Sequence, residues 1–139
     1  MEKIRLLIDS IQHSLSKNKD VLGIFLVGSH ARKTAREDSD IDLVILVENP
    51  QVWPQKSDWF SGFGEIIEYR TENWGVLTSV RVFYKGGLEV EFGITKLSWA
   101  NIYPIDLGTE KVIQNGAVVL YDPVGQCQKL IDFVQQKIS

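Results

Sequence analysis

Two apolar runs, Val21–Val27 (VLGIFLV) and Ile41–Val47 (IDLVILV), constrain the fold of this chain more than any other feature. Each is too short for a core helix, is rich in branched aliphatic residues and is bounded by turn formers, so each predicts a strand. The first carries no polar side chain at all, and a strand of that kind is covered on both faces. The covering helices are legible too. Ile4, Leu7, Ile8, Ile11 and Leu15 recur at helical spacing over residues 2–17. Cys127, Leu130, Ile131, Val134 and Ile138 line one face of a C-terminal helix. Further strands are expected over Glu65–Arg70, Val76–Tyr84, Leu88–Thr95 and Ala117–Tyr121, with a hairpin turn at Gly86-Gly87. Short helical pieces are expected in the aromatic-rich stretch 51–64 and in Leu97–Gly116. This order predicts an α/β (α+β) fold, a mixed β-sheet flanked by helices. No repeat, low-complexity tract or linker divides the chain, so residues 1–139 read as a single domain.

Charge narrows the function classes. The net charge is −3 and Lys and Arg form no cluster, which argues against a nucleic-acid groove or an anionic membrane surface as partner. The N-terminus, MEKIRLLIDSIQHSLSK, is charged and amphipathic rather than a signal peptide, and no apolar run approaches the roughly 18 residues of a membrane span. The single cysteine, Cys127, fits a reducing compartment and reads as a small core residue. A cytoplasmic protein is the expectation.

The chemistry gathers in GSHARKTAREDSDIDL, residues 28–43. Glu37, Asp38, Asp40 and Asp42 put four carboxylates within six positions at the mouth of a buried strand. Side chains two apart on a strand share a face, so Asp40 and Asp42 point together while Ile41, Leu43, Ile45 and Val47 fill the core behind them. Such a pair is a good oxygen site for Mg²⁺, which takes one or two carboxylates with water and phosphate. A second acidic pair, Glu89 and Glu91, shares a face of a later strand, with Leu88, Val90, Phe92 and Ile94 opposite. If the two strands are neighbours, these carboxylates converge. Gly28-Ser29 ends the first strand and opens a short helix over His30–Arg36, with Ser29 as its expected N-cap. Free backbone N–H groups and a hydroxyl at such a turn suit a phosphate. Glu37 and Asp38 read as solvated loop residues.

Gly-Ser, ten residues, Asp-Ile-Asp before an apolar strand, and a carboxylate on a later strand resemble the signature of the polymerase-beta-type nucleotidyltransferase superfamily. The tail VIQNGAVVLYDPVGQCQKLI is similar to the end of that domain in aminoglycoside-adenylyltransferase-like proteins. The resemblance implies that Gly28 and Ser29 hold the triphosphate of a nucleotide, that Asp40 and Asp42 ligate Mg²⁺, and that Glu91 takes the third-carboxylate place. Glu89, on the same face, is the alternative to Glu91. The third position is more often Asp in the family, and about fifty residues separate Asp42 from Glu91, more than in the smallest members. The implied reaction is attack of an acceptor hydroxyl on the α-phosphate of a nucleoside triphosphate, ATP by the resemblance, with loss of pyrophosphate.

Other residues carry two readings each. Arg32 and Lys33 either reach phosphate or form a solvated cationic face. Arg81 is read first as pairing with Glu89 or Glu91 and second as touching nucleotide. His30 reads as a surface helix residue, and His13 as solvent-facing. Trp53, Trp59, Phe60, Phe63 and Trp74 are read first as core and second as an acceptor pocket or dimer face. The acceptor pocket would be completed by a second copy of the chain, by a separate helical partner protein as in antitoxin-like members, or by the aromatic segment. From a different class comes a nucleotide-binding module without turnover.

Overall fold

The structure, a computed structural model, describes residues 1–138, the side chain of Ile138 excepted. The expected place of Ile138 on the last helix's apolar face therefore lies outside the described residues. Six strands form one mixed sheet: β1 (Val21–Val27), β2 (Ile41–Val47), β3 (Ile66–Asn73), β4 (Leu77–Tyr84), β5 (Leu88–Lys96) and β6 (Ala117–Tyr121), in the order β3-β4-β5-β2-β1-β6. β2 and β5 pair in parallel, and every other neighbouring pair is antiparallel. The helices are α1 (Glu2–Ser16), α2 (Gly28–Arg32), α3 (Asp58–Ser61), α4 (Leu107–Gln114) and α5 (Gln126–Ile138), with 3-10 turns at Pro50–Gln55 and Leu97–Ala100.

Strand alternation gives the sheet two apolar faces and therefore two cores. On one face Ile41, Leu43, Ile45 and Val47 of β2 pack with Val90, Phe92 and Ile94 of β5 beneath α1, α3 and the first 3-10 turn, which contribute Ile11, Leu15, Phe60 and Trp53. On the other, Phe25, Val44 and Leu46 meet Trp99, Leu130 and Val134 of the second 3-10 turn and α5. Full burial of each such side chain contributes about 1.5–3 kcal/mol, and the middle strands β1 and β2 draw on both cores.

Three expectations change. The helix after β1 starts at Gly28, with Val27 as its N-cap and no side-chain cap, so Ser29 lies inside the first turn rather than capping it. That helix also ends at Arg32 instead of Arg36, because Lys33 adopts the left-handed conformation (φ 63°) and the chain turns back with Thr34 N–H donating to Ser29 O. Trp74 is not core: it sits at the β3–β4 hairpin, 66% exposed. Trp53 and Phe60 are buried as read, with Trp59 and Phe63 partly buried against them. Among the described residues no helix is long and apolar enough to cross a membrane.

Candidate active site

β1 runs antiparallel to β2, so the end of β1 and the start of β2 meet, with Val27 opposite Asp42. β5 runs parallel to β2 and places Glu91 opposite Asp42, one row from Ile41 opposite Val90. β4 completes the row with Arg81 opposite Glu91. Residues opposite one another share a face, so Asp42, Glu91 and Arg81 stand in line across the sheet, on the face of the Phe25–Val44 core. The spacing of two then brings Asp40 and Glu89 to that face as a second row.

Gly28 closes the other side. Its φ of +73° is open to glycine at little cost. A Cβ built there would run into Asp42 Oδ2 and lie 3.2 Å from its Cγ. The turn and the carboxylate therefore share one spot, which only a residue without a side chain allows. Ser29 Oγ makes no hydrogen bond among the described residues. The loop leading to Asp40 is held by Arg36 N–H donating to Ser39 Oγ at 2.8 Å, Ser39 N–H donating to Arg36 O, and His30 Nε2 3.3 Å from Ser39 O. His30 is thus half-buried and tied to the loop, a role that sequence reading missed; Ser39, a turn former just before the carboxylates, was its only signal. Glu37, Asp38, Arg32, Lys33 and His13 are exposed, and Cys127 is buried.

Electrostatics reflect the crowding. Burial, then the Glu91 and Asp40 carboxylates, pushes Asp42 up to about 6. Burial and the carboxylate of Asp40, with which it shares a hydrogen bond, raise Glu89 above the usual carboxylate range. Arg81 answers both glutamates: Nη1 lies 3.2 Å from Glu89 Oε2, and Nη2 donates to Glu91 Oε2. That hydrogen bond, ahead of any other favourable contact, raises the guanidinium further above its ordinary value. The two glutamates need not compete for Arg81, since it bridges both. Its Nε is buried without a hydrogen-bond partner among the described residues, so the guanidinium is held by its tip alone.

Among the described residues no three His, Cys, Asp or Glu side chains stand ready-made as a cation site. A pair suffices for Mg²⁺ when water and phosphate fill the remaining positions. Asp40 and Asp42, mutually repelling and beside the Gly28-Ser29 turn, have the donor chemistry for that role. A cleft of about 570 Å³ lies elsewhere. It is lined by Thr78, Thr95, Trp99 and Thr109 at the far end of β5, and none of the four carboxylates borders it.

A family model described as a nucleotidyltransferase domain matches residues 8–135. Among curated proteins no relative matches. Among solved structures, an aminoglycoside 6-adenyltransferase from Bacillus subtilis overlays with a TM-score of 0.52 at 16% identity, over 74% of this chain and 36% of that one. Cid1 in complex with the UTP analog UMPNPP overlays with a TM-score of 0.51 at 16% identity, over 81% of this chain and 33% of that one. The chain thus spans about a third of the length of each, and at that identity the likeness is one of fold.

Proposed function

This chain belongs to the nucleotidyltransferase domain family, and we propose that it is a metal-dependent transferase that moves AMP from ATP to an acceptor hydroxyl on a small molecule or a protein, in the cytoplasm. The acceptor oxygen attacks the α-phosphate, the bond to the bridging oxygen breaks, and pyrophosphate leaves. Gly28 and Ser29 receive the outer phosphates through backbone N–H groups and the free Ser29 hydroxyl. Asp40 and Asp42 would hold Mg²⁺, which would supply positive charge against that of the triphosphate. Glu91, opposite Asp42 in the sheet, would complete the cation's ligands or take the hydroxyl proton. Arg81 engages only one of its two carboxylate oxygens.

The observation that carries this reading is the shared position of Gly28 and Asp42, with Glu91 in register beside them. Calorimetry of ATP binding, with and without Mg²⁺, tests it on wild type and Asp42→Ala. Binding that requires both the metal and Asp42 supports the site. No metal-dependent binding of any of the four ribonucleotides would sink it.

One observation favours a second reading, a nucleotide-binding module without turnover: the third carboxylate is a glutamate held by Arg81. Release of pyrophosphate in an acceptor screen, on either small molecules or a helical partner protein, separates the two. A module binds nucleotide in the same Mg²⁺-dependent way and releases none.

A further inference from the structure

At the edge of the sheet opposite β6, β3 is exposed along nearly its whole length, with Ile67 64% and Tyr69 48% exposed. Edges of this kind are normally blunted by proline, by charged side chains (lysine above all), by a bulge or by a covering helix. β3 has Glu68, Arg70 and Glu72 and a bulge between Ile66 and Glu68, but no proline and no lysine. We infer that two copies of this chain join there, antiparallel and edge to edge about Tyr69, so that one sheet runs through the dimer.

The register follows from backbone direction and charge. Trp74 N–H donates to Leu77 O at 2.8 Å, which makes 74 and 77 a hydrogen-bonded pair of the hairpin. Alternation along the ladder then turns the N–H and C=O groups of Glu68, Arg70 and Glu72 inward to β4, and those of Tyr69, Thr71 and Asn73 outward. A second β3 must meet outward groups with outward groups. Centring the pair on Arg70 would oppose Arg70 with its own copy and Glu68 with Glu72. Centring on Glu68 opposes two glutamates. Centring on Thr71 opposes Arg70 with Glu72, but it pairs only residues 69–73 and runs residues 66–68 onto the hairpin turn. Centring on Tyr69 sets Glu68 against Arg70 of the second copy, twice by the two-fold axis, and runs from Ile66 to Glu72 across the bulge between Ile66 and Glu68. That pair falls at the non-hydrogen-bonded position, where opposite side chains stand closest.

Both residues are free for the purpose. Glu68 and Arg70 are exposed, and among the described residues neither takes part in an ion pair. The Arg70 guanidinium lies over the Phe83 ring, 5.0 Å from its centroid, which holds it on the sheet face beside its position in the pair. That face is the one carrying Arg81, Glu91 and Asp42, since Arg70 lies opposite Arg81. The two-fold axis passes through the sheet, so both carboxylate clusters open on the same side of the dimer.

Sedimentation velocity over a concentration series tests the interface, with no nucleotide needed, so its outcome is independent of the reaction. Wild type is expected to show a monomer–dimer equilibrium. Glu68→Arg and Arg70→Glu are each expected to weaken it about tenfold or more, because like charges then meet at both copies of the contact. The double variant restores opposite charges and should dimerise like wild type. A mixture of the two single variants should form a heterodimer. Thr71→Pro, which removes an outward N–H that β4 does not use, should also yield monomer with an unchanged circular dichroism spectrum. Monomeric wild type at every concentration overturns the interface. So does a dimer indifferent to both charge reversals, or one that neither the double variant nor the mixture restores.

Discussion

Asp42 concentrates the tension of the site in one side chain. Burial and two neighbouring carboxylates hold its pKa up to about 6, against 3.8 ordinarily, so the folded protein keeps a proton there that the unfolded chain has already lost. The stability this group contributes is fully present below the unfolded value and is lost as the pH rises through about 6. At neutral pH, without metal, ionised Asp42 costs about 1–2 kcal/mol once solvent screening of a half-buried group is allowed for. Asp42→Asn removes that cost. Melting in EDTA should therefore show the variant more stable than wild type at pH 8, by a gap that narrows at pH 4.5 and closes below 3.8. A gap that does not change with pH would mean that Asp42 titrates like a surface carboxylate. The sequence carried much of this site: a spacing of two in Asp-Ile-Asp and in Glu-Val-Glu decides which side chains share a face. It could not decide between Glu89 and Glu91, which have the same parity. The parallel register of β2 with β5, a pairing between segments about fifty residues apart that no local pattern encodes, sets Glu91 opposite Asp42.

At the level of elements, the packing of α5 on β1 shows how a small residue sets a distance. Gly23 lies in the middle of β1, and a Cβ built on it would stand 2.5 Å from Cys127 Sγ and 3.2 Å from Leu46 Cδ1. The helix approaches the sheet as closely as it does because position 23 has no side chain. Gly23→Ala should therefore destabilise the fold by about 1–3 kcal/mol through overpacking. Adding Cys127→Ala should return part of that loss, since the sulfur is the nearest obstacle. Denaturant titration of the two single variants and the double variant measures the coupling; simple additivity would show that α5 moves aside instead. The strands and long helices were legible because their periods are long enough to read. The short pieces were not. The α2 helix stops at Lys33 through a left-handed residue that nothing about lysine announces, and Ser29, a good capping residue by type, lies two positions past the N-cap, Val27. Trp74 resembled core by composition, but the two-residue hairpin turn between Trp74 and Leu77 sets it out in solvent.

For the molecule as a whole, the two cores and the site make opposite demands. The cores tie β1 and β2 from both faces, while the same strands deliver Gly28 and Asp42 to a point where carboxylates repel one another. Arg81 supplies one positive charge to a cluster of four carboxylates, so the fold holds the site in a state that a further cation should relieve. A ligand that binds only the folded chain stabilises it by about 2.7 kcal/mol at a hundredfold excess over its Kd. For a domain of this size that corresponds to a rise in Tm of roughly 8 °C. ATP with Mg²⁺ should produce such a rise. ATP in EDTA should produce little, because its phosphates then face the carboxylates without a cation between them. Mg²⁺ alone should fall between, since it relieves the repulsion but gains no phosphate ligands. In Asp42→Asn the combined effect should shrink toward the sum of the two separate ones. Thermal melts of both proteins under the four conditions read this out directly: equal shifts with ATP in Mg²⁺ and in EDTA would place the nucleotide away from the carboxylates.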